Sequence, residues 1–176
     1  MFNLPFEDKY ALGYPFHDVY KIDNFVKNAS IYINGGVLLF NIKKILKDKK
    51  DFELIEFTIK NNINLWFLEQ DSINIVFYPN IGLLPLKYGI YMYGNINSFE
   101  KIVQKRVRIK LNRTEVIEAI KDPAIVHFSC CYPKIWYKNS KNAFGIDEIC
   151  TRFHNEFYKY ANKSNYYEKI KKKYLP

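Results

Sequence analysis

Ile31-Tyr32-Ile33-Asn34-Gly35-Gly36-Val37-Leu38-Leu39-Phe40-Asn41-Ile42 is the stretch whose reading organises the rest of the chain. Gly36 to Asn41 is a short apolar run opened by paired glycines, and it reads as a buried strand. An asparagine ahead of two glycines can present its amide at a strand mouth, where small residues let a ligand come close. The plainer reading is a glycine turn entering a strand. Working outward, Asp51 to Asn61 has helical spacing, with Phe52, Ile55 and Ile59 on one stripe. A shorter helix is expected from Gln70 to Phe77, closed by the Pro79-Asn80 turn signal.

Beyond that turn, Ile81 to Leu86 reads as a second apolar strand. Ile102 to Leu111 alternates only in part, as another strand or an irregular basic stretch would. Asn112 or Thr114 can cap a helix carrying Val116, Ile117 and Ile120, and Glu115 stands at the capping-box position of Asn112. Asp122-Pro123 ends that helix, and Ala124 to Phe128 makes a third buried strand. Ile146 to Tyr160 predicts the last strong helix, built on Ile146, Ile149, Cys150, Phe153, Phe157 and Tyr160. With neither repeat nor linker, this is one α/β unit followed by a basic tail.

Composition narrows the class. The chain has 176 residues, 48% of them hydrophobic and 26% charged, which is globular rather than disordered. No apolar run approaches the ~18 residues of a membrane span, and Met1 to Asp8 lacks the pattern of a signal peptide. The expectation is a cytoplasmic protein. Cys130, Cys131 and Cys150 form neither a disulfide framework nor a C-x-x-C pair. Cys150 and His154 share a helix face better explained by burial than by zinc. His154-Asn155-Glu156 lacks the P-C-x-x-C of a zinc deaminase, so that class is excluded.

Two further segments are unusual for a plain core. Glu69-Gln70-Asp71-Ser72-Ile73-Asn74 places three acceptors where a helix begins, which suits a binding site or simple capping. His127 ends an apolar strand before Phe128-Ser129-Cys130-Cys131-Tyr132-Pro133-Lys134-Ile135-Trp136. Strand ends of open α/β sheets host ligand crevices, although a lone histidine there is more often structural.

The order of these segments resembles the C-terminal part of glycosyltransferase family 8. Ile31 to Ile42 is similar to the family's Y-F-N-S-G-V-L-L-I-N-L strand, and Glu69 to Asn74 to its D-Q-D-x-L-N. Leu84-Pro85-Leu86-Lys87-Tyr88 follows L-P-x-K-Y. Asp122 to Ser129 with Lys134 to Trp136 follows D-P-x-I-x-H-F-x-G and K-P-W. Met1 to Leu12 looks like the stretch just after the family's metal-binding strand. The family's D-x-D, which precedes this region, is absent. Glu69 stands where aspartate is usual, and Cys130 replaces a loop glycine.

The resemblance implies the C-terminal portion of an A-type, nucleotide-diphospho-sugar transferase fold. It would be a mixed sheet flanked by helices, without the N-terminal nucleotide-binding lobe and with an exposed sheet edge. Residues 1–158 would be the acceptor-side part and 159–176 a basic, tyrosine-rich tail. It further implies a hexosyltransferase that moves a hexose from a UDP-sugar to a saccharide or lipopolysaccharide-type acceptor with retention. Gln70 and Asp71 would be catalytic, with Gln70 below the anomeric carbon. Asn34, Gly35, Glu69 and Lys134 would bind substrate, Lys134 at the diphosphate. His127 would be the nitrogen ligand to Mn²⁺, whose other ligands this chain lacks. Stand-alone turnover is therefore not expected, and the missing lobe could act in trans. A catalytically silent sugar-binding module or a membrane-surface adaptor stays as the alternative.

The charge supports that last option. The net charge is +9, of which +5 falls from Lys159 onward, among Lys159, Lys163, Lys169, Lys171, Lys172, Lys173 and Glu168. Tyr160, Tyr166, Tyr167 and Tyr174 interleave with them, as suits an anionic membrane surface on the inner face, where each lysine contributes about 1 kcal/mol. Nucleic acid is the less favoured partner. The whole chain leans towards Lys, Asn, Ile, Tyr and Phe, so base composition alone could supply such a tail.

Overall fold

Ala11 to Pro15 is buried at every position, the pattern of a strand with neighbours on both sides, and it forms β1. In the computed structural model, which describes residues 3–16, 19–91, 108, 110–127 and 148–174, β1 is the central strand of three. It pairs antiparallel with β2 (Ile33–Phe40), Leu12 opposite Leu39, with an irregularity between Gly13 and Pro15. After β2 come α1 (Ile42–Lys47), α2 (Lys50–Asn61) and α3 (Leu68–Val76). The chain then returns in β3 (Ile81–Leu83), parallel to β1. The sheet is therefore mixed, in the order β2-β1-β3. Gly13 is obligatory at the middle, because a Cβ there would stand 2.8 Å from the Cβ of Ile33.

The core lies between this sheet and the helices. Tyr10, Ala11, Ile33, Ile45, Ile73, Val76, Phe77 and Ile81 form it, with Leu54 and Phe57 of α2 packed against its margin. Burial of such side chains contributes roughly 1.5–3 kcal/mol each.

Further along stand β4 (Ile90–Tyr91), α4 (Arg113–Lys121), β5 (Val126–His127), α5 (Glu148–Ala161) and α6 (Tyr167–Tyr174). Asn112 is the cap of α4, its Oδ1 accepting the Thr114 N–H at 2.9 Å. Arg108 grips Asp23 with both terminal nitrogens, at 2.8 and 2.6 Å, and also donates to the Ala29 carbonyl. That fork pins the loop that leads into β2.

Contacts divide the chain into two units, residues 1–90 with 102–125, and residues 91–101 with 126–176. In the second, α5 and α6 carry the ion pairs Lys159–Glu156 and Lys171–Glu168. Among the described residues, no helix is long and apolar enough to cross a membrane.

Three sequence expectations need adjustment. β2 starts at Ile33 rather than Gly36, because Ile33 already pairs with Pro15 of β1. The strand expected over Ile81–Leu86 stops at Leu83, before Pro85 opens a 3-10 turn over Leu86–Tyr88. The apolar stripe of α2 faces outward, with Phe52 66% and Ile59 71% exposed. The expected strand of Ile102 to Leu111 falls mostly outside the described residues, as do the Phe128 end of the third strand and the Ile146 start of the last helix.

Candidate active site

The chain is held at its entry into helix α3 by Asp71, which reaches back to the two residues before Leu68. Its Oδ2 accepts the N–H groups of Trp66 at 2.7 Å and Phe67 at 2.8 Å, while Oδ1 accepts the Tyr32 hydroxyl. This is helix capping by an acidic first-turn residue, which the helix dipole also favours. The same bonds hold an unusual entry, for Leu68 begins the helix at φ 22°. Asp71 is 1% exposed, so its carboxylate sits inside the protein with its oxygens occupied.

The next turn of α3 reaches into β2. Among the described strands β2 lies at the edge of its sheet, and its outer backbone groups find partners other than a strand. The Asn74 amide imitates one. It accepts the Ile33 N–H and donates to the Ile33 carbonyl, both at 2.7 Å. It also donates to the Gln70 carbonyl one turn back at 2.8 Å, and the residue is wholly buried. Gln70 continues the seam. Its Oε1 accepts both the Gly35 N–H at 2.7 Å and the Asn34 Nδ2 at 2.9 Å, while its Nε2 donates to the Tyr32 hydroxyl at 2.9 Å. Asn34 Oδ1 in turn accepts the Gly36 N–H at 2.7 Å.

These bonds make a directed chain. Gly35 and Asn34 donate to Gln70, Gln70 donates to Tyr32, and Tyr32 donates to Asp71. Such ordered polar chains strengthen each link in a low-dielectric interior. Among the described residues, the second N–H of Asn34 and that of Gln70 have no acceptor. Both residues are almost closed off, at 5% and 6% exposed. The arrangement can offer two fixed amide donors to a hydroxylated ligand.

Asn34, Gly35, Gln70 and Asp71 thus meet at the junction of β2 and α3. Glu69 is exposed on the first turn of α3 and takes no part in the network. His127 is half-buried at the end of β5, in the second unit. Lys134 lies outside the described residues. Tyr32 and Asn74 fall within the motifs without an expected role, and they are the residues that tie strand to helix. The i, i+4 spacing of Gln70 and Asn74 was the available signal, because it puts both amides on one helix face.

Among the described residues, no group of three His, Cys, Asp or Glu side chains could hold a metal ion. A hard divalent cation takes about six mostly oxygen ligands. Among the described residues His127 is not part of such a ligand set, and no step is assigned through a metal. The clear shift of a carboxylate lies elsewhere: the Lys44 ammonium, then the Tyr10 hydroxyl, holds Asp48 below its ordinary range.

The chain matches the model of "Glycosyl transferase family 8" over residues 2–140. It is similar in structure to the WbbM bifunctional glycosyltransferase, with a TM-score of 0.67 and 20% identity over 99% of this chain and 32% of that one. It is also similar to the galactosyltransferase LgtC in complex with donor and acceptor sugar analogues, with a TM-score of 0.57 and 17% identity over 88% of this chain and 54% of that one. The chain therefore spans about a third and about half of their lengths, and at these identities the likeness shows the fold. No curated protein matches it significantly. The mixed sheet with its flanking helices is the A-type glycosyltransferase fold. On the match across most of its length, the chain belongs to glycosyltransferase family 8.

Proposed function

We propose that this chain is the acceptor-side part of a hexosyltransferase that takes a hexose from a UDP-sugar and passes it, with retention, to a saccharide or lipopolysaccharide-type acceptor. In that reaction the bond from the anomeric carbon to the diphosphate oxygen breaks. A bond to an acceptor hydroxyl oxygen forms, and the hydroxyl proton leaves with the diphosphate. The observation that carries the reading is the meeting of Asn34, Gly35, Gln70 and Asp71 in one hydrogen-bonded seam.

In this reading the open N–H groups of Asn34 and Gln70 hold hexose oxygens, and Gln70 lies below the anomeric carbon. Gly35 keeps the strand close to Gln70, where an added Cβ would stand 3.2 Å from the Gln70 Cβ. Asp71 acts beside Gln70 by fixing the turn, and exposed Glu69 accepts a sugar hydroxyl. Lys134 at the diphosphate and His127 as a nitrogen ligand to a divalent metal belong to the same proposal, with the remaining ligands outside the described residues.

Saturation-transfer NMR registers weak ligands and tests this directly. Hexose protons of UDP-glucose or UDP-galactose should receive saturation from the chain, and Gln70→Ala should abolish it. Signals confined to uridine, or none, would sink the reading. A silent sugar-binding module is favoured by one observation, the occupation of both Asp71 oxygens by donors. UDP release that depends on a saccharide acceptor, measured with the nucleotide-binding lobe supplied in trans, separates the two; the isolated chain is expected to show none under either.

The tail adds a peripheral membrane contact to either reading. Tyr160 and Tyr166 are exposed, with the Lys163 and Lys169 ammonium groups each 5.7 Å from a ring. Binding to anionic vesicles that falls with salt and with deletion of 159–176 would support it.

A further inference from the structure

We propose that Tyr32 is a positioning residue for the hexose site, its hydroxyl setting the orientation of the Gln70 amide. The proposal rests on the reading of Gln70 as a sugar contact, but its first test does not. The hydroxyl stands between two groups of fixed polarity. A carboxylate only accepts, so the Tyr32 hydroxyl donates to Asp71 Oδ1, while Oδ2 accepts two backbone N–H groups. The Tyr32 oxygen then has only lone pairs to offer Gln70, and Nε2 is the end that turns towards it, at 2.9 Å. At the far end of the same amide, the Gly35 and Asn34 donors require Oε1. A flipped Gln70 would set N–H against two donors. Its remaining N–H therefore has one direction, fixed from both ends.

The ring has its own seat, which separates its packing from its hydrogen bonds. Tyr32 is 1% exposed, and its ring lies 6.0 Å from that of Phe16, which in turn meets Phe67 edge-on at 5.9 Å. Tyr32→Phe keeps this packing and removes the hydroxyl alone. It leaves Asp71 Oδ1 and Gln70 Nε2 without their buried partner, and the Gln70 amide becomes free to move at that end.

Amide exchange of the Gln70 side chain in the full chain is the deciding measurement, its NMR pair identified by disappearance in Gln70→Glu. The pair should exchange slowly in the parent protein and about tenfold or more faster in Tyr32→Phe. Phe16→Leu, which loosens the ring seat and spares the hydroxyl, should lower thermal stability yet keep the Gln70 protection. Equal protection in the parent and Tyr32→Phe overturns the proposal, as does equal loss in Phe16→Leu. Should Tyr32→Phe fail to fold, 13Cζ-labelled tyrosine in the parent protein in mixed light and heavy water decides instead. A split Tyr32 signal shows a slowly exchanging, bonded hydroxyl, and one averaged line overturns the proposal. Hexose saturation transfer, lost in Tyr32→Phe and kept in Phe16→Leu, then links positioning to binding. If the parent protein shows no hexose signal, the sugar-site reading fails while the exchange result still stands.

Discussion

Helix α2 buries no residue completely and exposes Phe52, Ile55 and Ile59, whereas α3, which follows it in the chain, buries Gln70, Asp71, Ser72 and Asn74. Judged by these side chains alone, the burial should be reversed. The reason lies in what each helix faces. α2 meets the core with Leu54 and Phe57 on its other side, so its second apolar stripe has nothing left to cover. α3 meets the open backbone of an edge strand, and backbone N–H and C=O groups need polar partners more than they need oil. Polar burial here is sheet completion by side chains. It also creates a row of oriented amides at the junction of β2 and α3.

The contrast gives its largest effect at Asn74. Asn74→Ala should cost about 3 kcal/mol, because two backbone groups of Ile33 lose their partner in a dry site. Urea denaturation measures this, and a loss below about 1 kcal/mol would mean that water or a shifted strand replaces the amide. Gly35→Ala comes next, at about 1–2 kcal/mol, because Gln70 must give way to the added methyl. Its hexose signal should fall further than its stability. A variant with an undiminished hexose signal and equal stability would show that the seam has slack.

On the other helix the expectation reverses. Ile55→Ser and Ile59→Ser should each stay within about 0.5 kcal/mol of the parent, although both replace large apolar residues. A larger loss in denaturation would show that the stripe is covered in solution, and light scattering of the two variants would report whether a second chain covers it. The smallest effect concerns pH. The Asp48 carboxyl is held below its ordinary 3.8 by Lys44 and Tyr10. A carboxyl lowered in the folded state contributes stability that is complete above that value and lost as pH falls through the folded one. Asp48→Asn should therefore lower stability slightly at neutral pH, where that contribution is complete, and flatten the acid limb below pH 3.8, where parent and variant converge. An unchanged acid limb would count against the Lys44–Asp48–Tyr10 contact.

Much of this was legible in the residues. The spacing of α2, the Asn112 cap and the strand after Gly36 are local, since each depends on neighbours within a few positions. The acidic start of α3 was readable as a cap, and Asp71 does cap it, through N–H groups four and five residues back. The family motifs marked Asn34, Gly35, Gln70 and Asp71 together. They gave no role to Tyr32 or Asn74, since a tyrosine and an asparagine are equally at home on a surface.

What the sequence by itself determined is therefore periodicity, capping and motif order, all properties of residues close along the chain. Which side of α2 meets the core was decided by the tertiary structure, because Leu54 and Phe57 offered a second apolar stripe of similar quality. The tertiary structure also decided that Tyr32 meets Asp71 and that Asn74 meets Ile33, across 39 and 41 residues. Such pairs form only when sheet order leaves β2 at an edge and brings α3 alongside it. A hydrogen bond has a direction and a length, and no pattern along one strand or one helix specifies either across that gap.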